Sequence, residues 1–180
     1  MTQQIAEFDI QTLAAIRANV EAFMRDTAQC FDGPATRLLD IAPQDHGGAR
    51  PFFVQSTIET LDINPASGAT YIADLCKCKG GVIPADSFDV VVCTEVLEHT
   101  LRPFDAVEGI FHMLTPGGVA LVTTPFNFRI HGPLPDCWRF TEHGLKSLFS
   151  DFEVVSLREL PSPDRWLMPL QYTLVARKPA

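Results

Sequence analysis

The sequence predicts an α/β protein with a doubly wound sheet of seven strands, mostly parallel and completed by an antiparallel C-terminal strand. Three observations lead there. Seven short runs rich in aliphatic and β-branched residues are spaced along the chain, with helical periodicity between some of them. At 180 residues, 46% of them hydrophobic, the chain is long enough to bury a sheet-based core as one domain. Asp40, Asp62, Asp74 and Glu95 each stand within two residues of the end of one of the first four runs, at the edge where open α/β sheets bind ligands.

The elements follow in order. From Glu7 to Ala28 the apolar residues Phe8, Ile10, Leu13, Ile16, Val20, Phe23 and Met24 recur at three- and four-residue steps, the period of an amphipathic helix. Asp32-Gly33-Pro34 stops it. Strands are expected at Arg37 to Ile41, Ser56 to Asp62, Thr70 to Ala73, Phe88 to Cys93, Val119 to Thr124, Phe152 to Glu159 and Gln171 to Arg177. Helices fit Phe104 to Leu114 and Glu142 to Phe149, the former ending at Leu114-Thr115-Pro116-Gly117-Gly118. The last two strands are placed to pair as an antiparallel hairpin across Pro161-Ser162-Pro163-Asp164. Between the first two strands, Ala42 to Gln55 has room for only a short helix. The chain reads as a single domain over 1–180, with 1–30 as a helical lid on an α/β core of 31–180. Packing of that helix into the core is the alternative.

Composition narrows the function classes. The net charge is −8 with a pI near 5.0, and the 14 Lys and Arg residues are scattered, which argues against a nucleic-acid partner. No apolar run approaches membrane-spanning length, and the N-terminus lacks the basic and apolar regions of a secretory signal, so no membrane partner and a cytoplasmic location are expected. Cys30, Cys76, Cys78, Cys93 and Cys137 are an odd set best read as free thiols. Cys76-Lys77-Cys78 has the wrong spacing for a zinc knuckle, and no metal site is expected. The partner expected is a small-molecule substrate. The oligomeric state stays open, a homodimer included.

Two stretches carry chemistry. Phe88-Asp89-Val90-Val91-Val92-Cys93-Thr94-Glu95-Val96-Leu97-Glu98-His99 runs from a hydrophobic strand onto an acidic turn, and Pro125 to Thr141 reads PFNFRIHGPLPDCWRFT, close to the pattern PFxxRIHGxPxDxWRFT with Leu134 in place of its second Pro. Together with the Leu114–Gly118 turn, they resemble the class I S-adenosylmethionine (SAM)-dependent methyltransferases, in particular a small-molecule branch often linked to sugar, cell-surface polysaccharide or secondary metabolism. The resemblance covers about Arg37 to Leu148. It implies a Rossmann-like fold, SAM as cofactor with S-adenosylhomocysteine as product, and methyl transfer to a small polar metabolite, with oxygen on a sugar or natural product favoured as acceptor. N-methylation of a small amine, where Glu95, Glu98 or Asp136 would attract the cation, and a non-catalytic SAM-binding module remain the alternatives.

The resemblance also assigns cofactor residues. Asp62 would accept both ribose hydroxyls in a bidentate pair, with Ile63 beside it, and Asp74 and the amide of Leu75 would serve the adenine. Asp40 would face the methionine end. Thr94, Glu95 and His99 would complete the pocket, His99 facing Glu95 across one helical turn or capping that turn. For each acid a turn or helix cap is an even alternative. The loop after Asp40 departs from the family's glycine-rich pattern, since Ala42, Gln44 and His46 stand where glycines are usual. Gly47 and Gly48 would supply the close backbone approach from a shifted position, so that a bulky side chain there should block SAM more than it unfolds the protein.

On the acceptor side, methyl transfer is an in-line displacement that needs positioning and, for a hydroxyl, a base. His131, in the Gly- and Pro-rich loop after the fifth strand, is the candidate base, or else a histidine fixing its own turn. Asp136 is the second catalytic candidate. Arg129, Trp138 and Arg139 are candidate substrate ligands, by forked hydrogen bonds and by stacking. An internal Arg–Asp pair with a packed Trp is the competing reading of the same cluster.

Overall fold

A computed structural model describes residues 6–43, 47–163 and 165–180. Gln44, His46 and Asp164, named above in the glycine-poor loop and the last hairpin, lie outside the described residues. In chain order the elements are α1 (Glu7–Phe31), β1 (Arg37–Ile41), β2 (Thr57–Asp62), β3 (Tyr71–Ile72), β4 (Phe88–Thr94), α2 (Pro103–Met113), β5 (Leu114–Pro125), α3 (Glu142–Leu148), β6 (Glu153–Leu160) and β7 (Gln171–Arg177). One-turn 3-10 helices cover Leu75–Lys77 and Leu97–His99.

The seven strands form one sheet in the order β3-β2-β1-β4-β5-β7-β6. Pairings from β3 through β5 are parallel, while β7 runs antiparallel to both β5 and β6. This is the doubly wound, mostly parallel architecture expected, and the order reverses between β1 and β4. Strand periodicity divides the core in two. Leu39, Ile41, Val91, Cys93, Ala120, Val122 and Leu174 face α2 and α3, whereas Leu38, Val90, Val92, Val119, Leu121 and Val175 face Met24 of α1 with Ala49 and Phe53. Burial on both faces explains why β4 and β5 read as continuous apolar runs.

Three details differ from the expected boundaries. β5 begins at Leu114, paired with Phe88, so the Thr-Pro-Gly-Gly segment is an irregular start of the strand, with Gly117 at φ 82°. β3 is reduced to two residues. Successive turns at Gly47–Phe52 stand where a short helix was expected, and they anchor Ala49 and Phe53 beneath α1. A clamp absent from the sequence reading closes α1. Asp32 accepts hydrogen bonds from the amides of Val54, Gln55 and Ser56 and from the Ser56 hydroxyl at 2.7–3.1 Å, tying the helix end to the entry of β2. All five cysteines are free. No helix among the described residues is long and apolar enough to cross a membrane.

Candidate active site

The carboxyl ends of β1, β2, β3 and β4 lie along one edge of the sheet, with the strand order reversing between β1 and β4, the place where open α/β sheets bind ligands. Asp40, next to last in β1, is 1% exposed and accepts the Ala49 amide at 2.7 Å. Burial lifts its carboxyl to about 6, against the opposing pull of that hydrogen bond and of Arg50. The chain turns immediately after the strand with Ala42 at φ 50°, its amide donating to the Leu61 carbonyl at 2.8 Å. Gly48, at φ 53°, passes so near Asp40 that an added Cβ would stand 2.1 Å from Asp40 Oδ2 and 2.5 Å from Pro43 Cβ. That overlap corrects the expectation that a side chain at Gly48 would spare the fold. Gly47, at φ 72°, has ordinary space around it.

Asp62 closes β2, and its carboxylate accepts the Asn64 amide at 2.8 Å in a tight turn that leaves Ile63 68% exposed on the edge. Asp74 caps the short helix after β3 by accepting the Cys76 amide at 3.0 Å, and Lys77 lies 3.2 Å from it. Leu75 is buried beside it. Thr94 ends β4. Glu95 follows at φ 53°, an unusual conformation for a side-chain-bearing residue, and accepts from Thr123 at 2.8 Å and Gln171 at 2.7 Å. Gln171, fully buried, accepts in turn from Asn19 of α1 at 2.7 Å. Desolvation raises the Glu95 carboxyl despite these donors. Sequence reasoning missed Asn19 and Gln171, because nothing local marks either as a partner of Glu95.

The acceptor side is built on the loop from Phe126 to Thr141. Asp136 organises it, its carboxylate screened from solvent and bound by the Arg139 guanidinium at 2.5 and 2.7 Å and by the His131 amide at 2.9 Å. Arg139 holds that carboxyl down at about 2. Arg139 also donates to the carbonyls of Phe128, Arg129 and Trp138, so its donors are committed inside the protein. The internal Arg–Asp pair is therefore the arrangement found. Trp138 is 41% exposed, stacks against Phe140 and donates its indole N–H to the Thr100 carbonyl at 2.8 Å. Arg129 is more open, with Asp9 of α1 3.7 Å from its guanidinium.

His99 departs from its expected neighbour. The backbone after Glu95 makes a 3-10 turn instead of an α-turn, which carries His99 to Glu98 and His131. The two imidazoles meet edge to face at 4.9 Å, and Nε2 of each lies 3.6–3.7 Å from Glu98 Oε1. Glu98 is fully buried, and neither carboxylate oxygen has a hydrogen-bond partner among the described residues. Burial, and then the charge of Glu95, push its carboxyl well above the ordinary range. Desolvation lowers the His131 imidazole below its ordinary value, against the opposing pull of Asp136, and so favours its neutral form. A separate cavity of about 550 Å³, lined by Phe104, Phe111, Phe152 and Lys178 among others, lies away from these strand ends and shares no residue with them.

Residues 15–161, most of the chain, match the family described as "Methyltransferase domain". The chain belongs to that family. The matched span includes the row of carboxylates along the strand ends, Asp40, Asp62, Asp74 and Glu95. It is similar to the ubiquinone biosynthesis O-methyltransferases of Psychrobacter cryohalolentis and Psychrobacter arcticus, with 48% identity over 40 residues. That match spans 22% of this chain and only 16% of each relative's length. Among solved structures it resembles the 1,6-didemethyltoxoflavin-N1-methyltransferase of Burkholderia thailandensis, crystallised with 1,6-didemethyltoxoflavin and S-adenosylhomocysteine. Identity is 16% over 100% of this chain and 94% of that one, with a TM-score of 0.63. A SAM-dependent methyltransferase of Methanosarcina mazei is 16% identical over 84% of this chain and 96% of its own, with a TM-score of 0.61. Both structural likenesses establish the fold.

Proposed function

We propose that this methyltransferase transfers the SAM methyl group to a hydroxyl oxygen of a small polar metabolite, a sugar or natural product, in the cytoplasm. One observation carries the reading. The His131 loop is held by the Asp136–Arg139 clamp at the carboxyl edge of the sheet, where cofactor and acceptor would meet. Asp62 takes the ribose hydroxyls, Asp74 and Leu75 the adenine beside Ile63, and Asp40, Ala42, Gly47 and Gly48 the methionine end. Thr94 and Glu95 line the crevice between the two halves. Arg129 and Trp138 face the acceptor, and His99 supports His131 from behind.

His131 promotes loss of the acceptor proton as the methyl moves, while Asp136 and Arg139 act through His131 as positioning residues. The first turns of α1 form a cover over a single domain, supported by the Asp9–Arg129 approach, while Met24 further along the helix belongs to the core. The excess of carboxylates around Glu98 favours a second reading, N-methylation of a small cationic amine.

Turnover with an acceptor found by metabolite screening tests the assignment. His131→Ala should lower kcat about a hundredfold or more with SAM affinity nearly unchanged, and His131→Gln should not restore it. A His131→Gln enzyme running at the parent's rate would move the weight to N-methylation.

A further inference from the structure

We propose that Glu98, His99 and His131 form a binding site for one divalent transition-metal cation of the zinc class, at the acceptor side of the crevice. Its three ligand atoms are Glu98 Oε1, His99 Nε2 and His131 Nε2. The carboxylate oxygen stands 3.6 Å from the first imidazole nitrogen and 3.7 Å from the second, and the three residues each bring a ligand atom within 4.8 Å of the others. Metal–ligand bonds of about 2.0–2.2 Å place tetrahedral ligand atoms about 3.3–3.6 Å apart, so the carboxylate already stands about the required distance from each imidazole nitrogen, and a modest approach of the two rings completes the set.

Three further features point to an ion. The Glu98 carboxylate is fully buried with both oxygens unpartnered, a costly condition unless something positive sits against it. Each imidazole is also oriented from its far side. His99 Nδ1 lies 2.9 Å from the Pro135 carbonyl, which can only accept, so the proton is on Nδ1 and the Nε2 lone pair faces Glu98. His131 Nδ1 lies 3.0 Å from the Asp136 Oδ2 acceptor, a proximity that favours the same tautomer although no aligned hydrogen bond forms. Carbonyl and carboxylate partners behind a histidine are the usual supports of metal-ligating imidazoles. Finally, the Arg139 guanidinium is committed to Asp136 and to backbone carbonyls, so it leaves the Glu98 carboxyl without a positive partner.

Two histidines and one carboxylate leave coordination positions open, the arrangement of catalytic rather than structural metal sites. A hydroxyl acceptor fits there. An ion held by Glu98, His99 and His131 would act as a Lewis acid that eases loss of the hydroxyl proton to water, and transfer of the methyl group from the sulfonium to that oxygen, with the C–S pair returning to sulfur, would leave S-adenosylhomocysteine. In this scheme His131 promotes proton loss through the cation, with its own lone pair on the metal. That role rests on the methyl-transfer reading; the binding of the ion does not.

The experiment is calorimetric titration of zinc into chelator-stripped, dialysed protein, paired with the visible spectrum of the cobalt-loaded form. One equivalent should bind, and cobalt should show the intense absorption of a four- or five-coordinate site. Glu98→Gln, nearly isosteric, and His131→Ala, each checked for native circular dichroism, should weaken binding at least about tenfold, while His143→Ala at the surface should not. Failure of the folded parent to bind zinc or cobalt, or unchanged binding in both ligand variants, overturns the site. SAM titrated into the same samples separates the two readings. SAM binding without metal binding defeats the metal site alone, and metal binding without SAM binding defeats the methyl-transfer reading alone.

Discussion

At the scale of single residues, the strongest constraint is the packing of the loop after β1 onto Asp40. Gly48→Ala forces a methyl group against Asp40 and Pro43 and strains a left-handed backbone, so it should destabilise the protein by about 1–3 kcal/mol, as overpacking does. Urea unfolding checks this, with Gly47→Ala expected to cost no more than about 1 kcal/mol because only the backbone conformation is strained there. Asp40 itself predicts a pH dependence. Its folded value of about 6 exceeds the unfolded value of about 3.9, so the native state holds the extra proton between them. Stability from this group is therefore greatest below about pH 4 and declines as pH rises to about 6, by an amount on the order of 2–3 kcal/mol. The stability of Asp40→Asn relative to the parent should rise across that window and level off above it. A difference flat from pH 4 to 7 would show that the buried carboxyl titrates normally.

At the scale of elements, α1, β4, β5 and β7 meet through one chain of side chains, Asn19 to Gln171 to Glu95 to Thr123. Gln171→Leu removes two of its bonds and leaves a desolvated carboxylate with a single donor. A loss of about 1–3 kcal/mol is expected, read by thermal or urea denaturation, and Gln171→Glu should cost more because it sets a second acid beside Glu95. The sequence carried the elements well where periodicity is strong. α1, β1, β4 and β7 are almost where the alternation and the turn residues put them. What it did not carry are contacts made by topology. Asp32 reads as a helix stop and turns out to clamp the entry of β2, and Gln171 reads as the first residue of a strand.

At the scale of the whole molecule, the strand order places Asp40, Asp62, Asp74 and Glu95 on one edge, and this much of the site was legible because each follows a recognisable strand. The Glu98–His99–His131 cluster was not. His99 was expected to face Glu95, as an α-turn would have it, whereas a 3-10 turn and a loop from beyond β5 bring together three residues that no spacing rule connects. For the assembled cofactor site, SAM at a hundred times its dissociation constant should add about 2.7 kcal/mol of stability, or about 5–10 °C in Tm for a chain of this size. Asp62→Ala should weaken SAM binding by about 1.5–3 kcal/mol and shrink that shift in proportion. A full shift in the variant would remove Asp62 from the ribose.

The chain contains two tryptophans, and they occupy opposite circumstances. Trp166 is 91% exposed, whereas Trp138 is half covered, hydrogen-bonded to the Thr100 carbonyl and stacked on Phe140 in the acceptor loop. Light emission from the protein is thus a sum of one water-exposed indole and one indole fixed within the loop after β5. With Trp166→Phe the remaining fluorescence belongs to Trp138 alone, and a change in it on adding candidate compounds would report acceptor arrival if Trp138 has the place proposed for it.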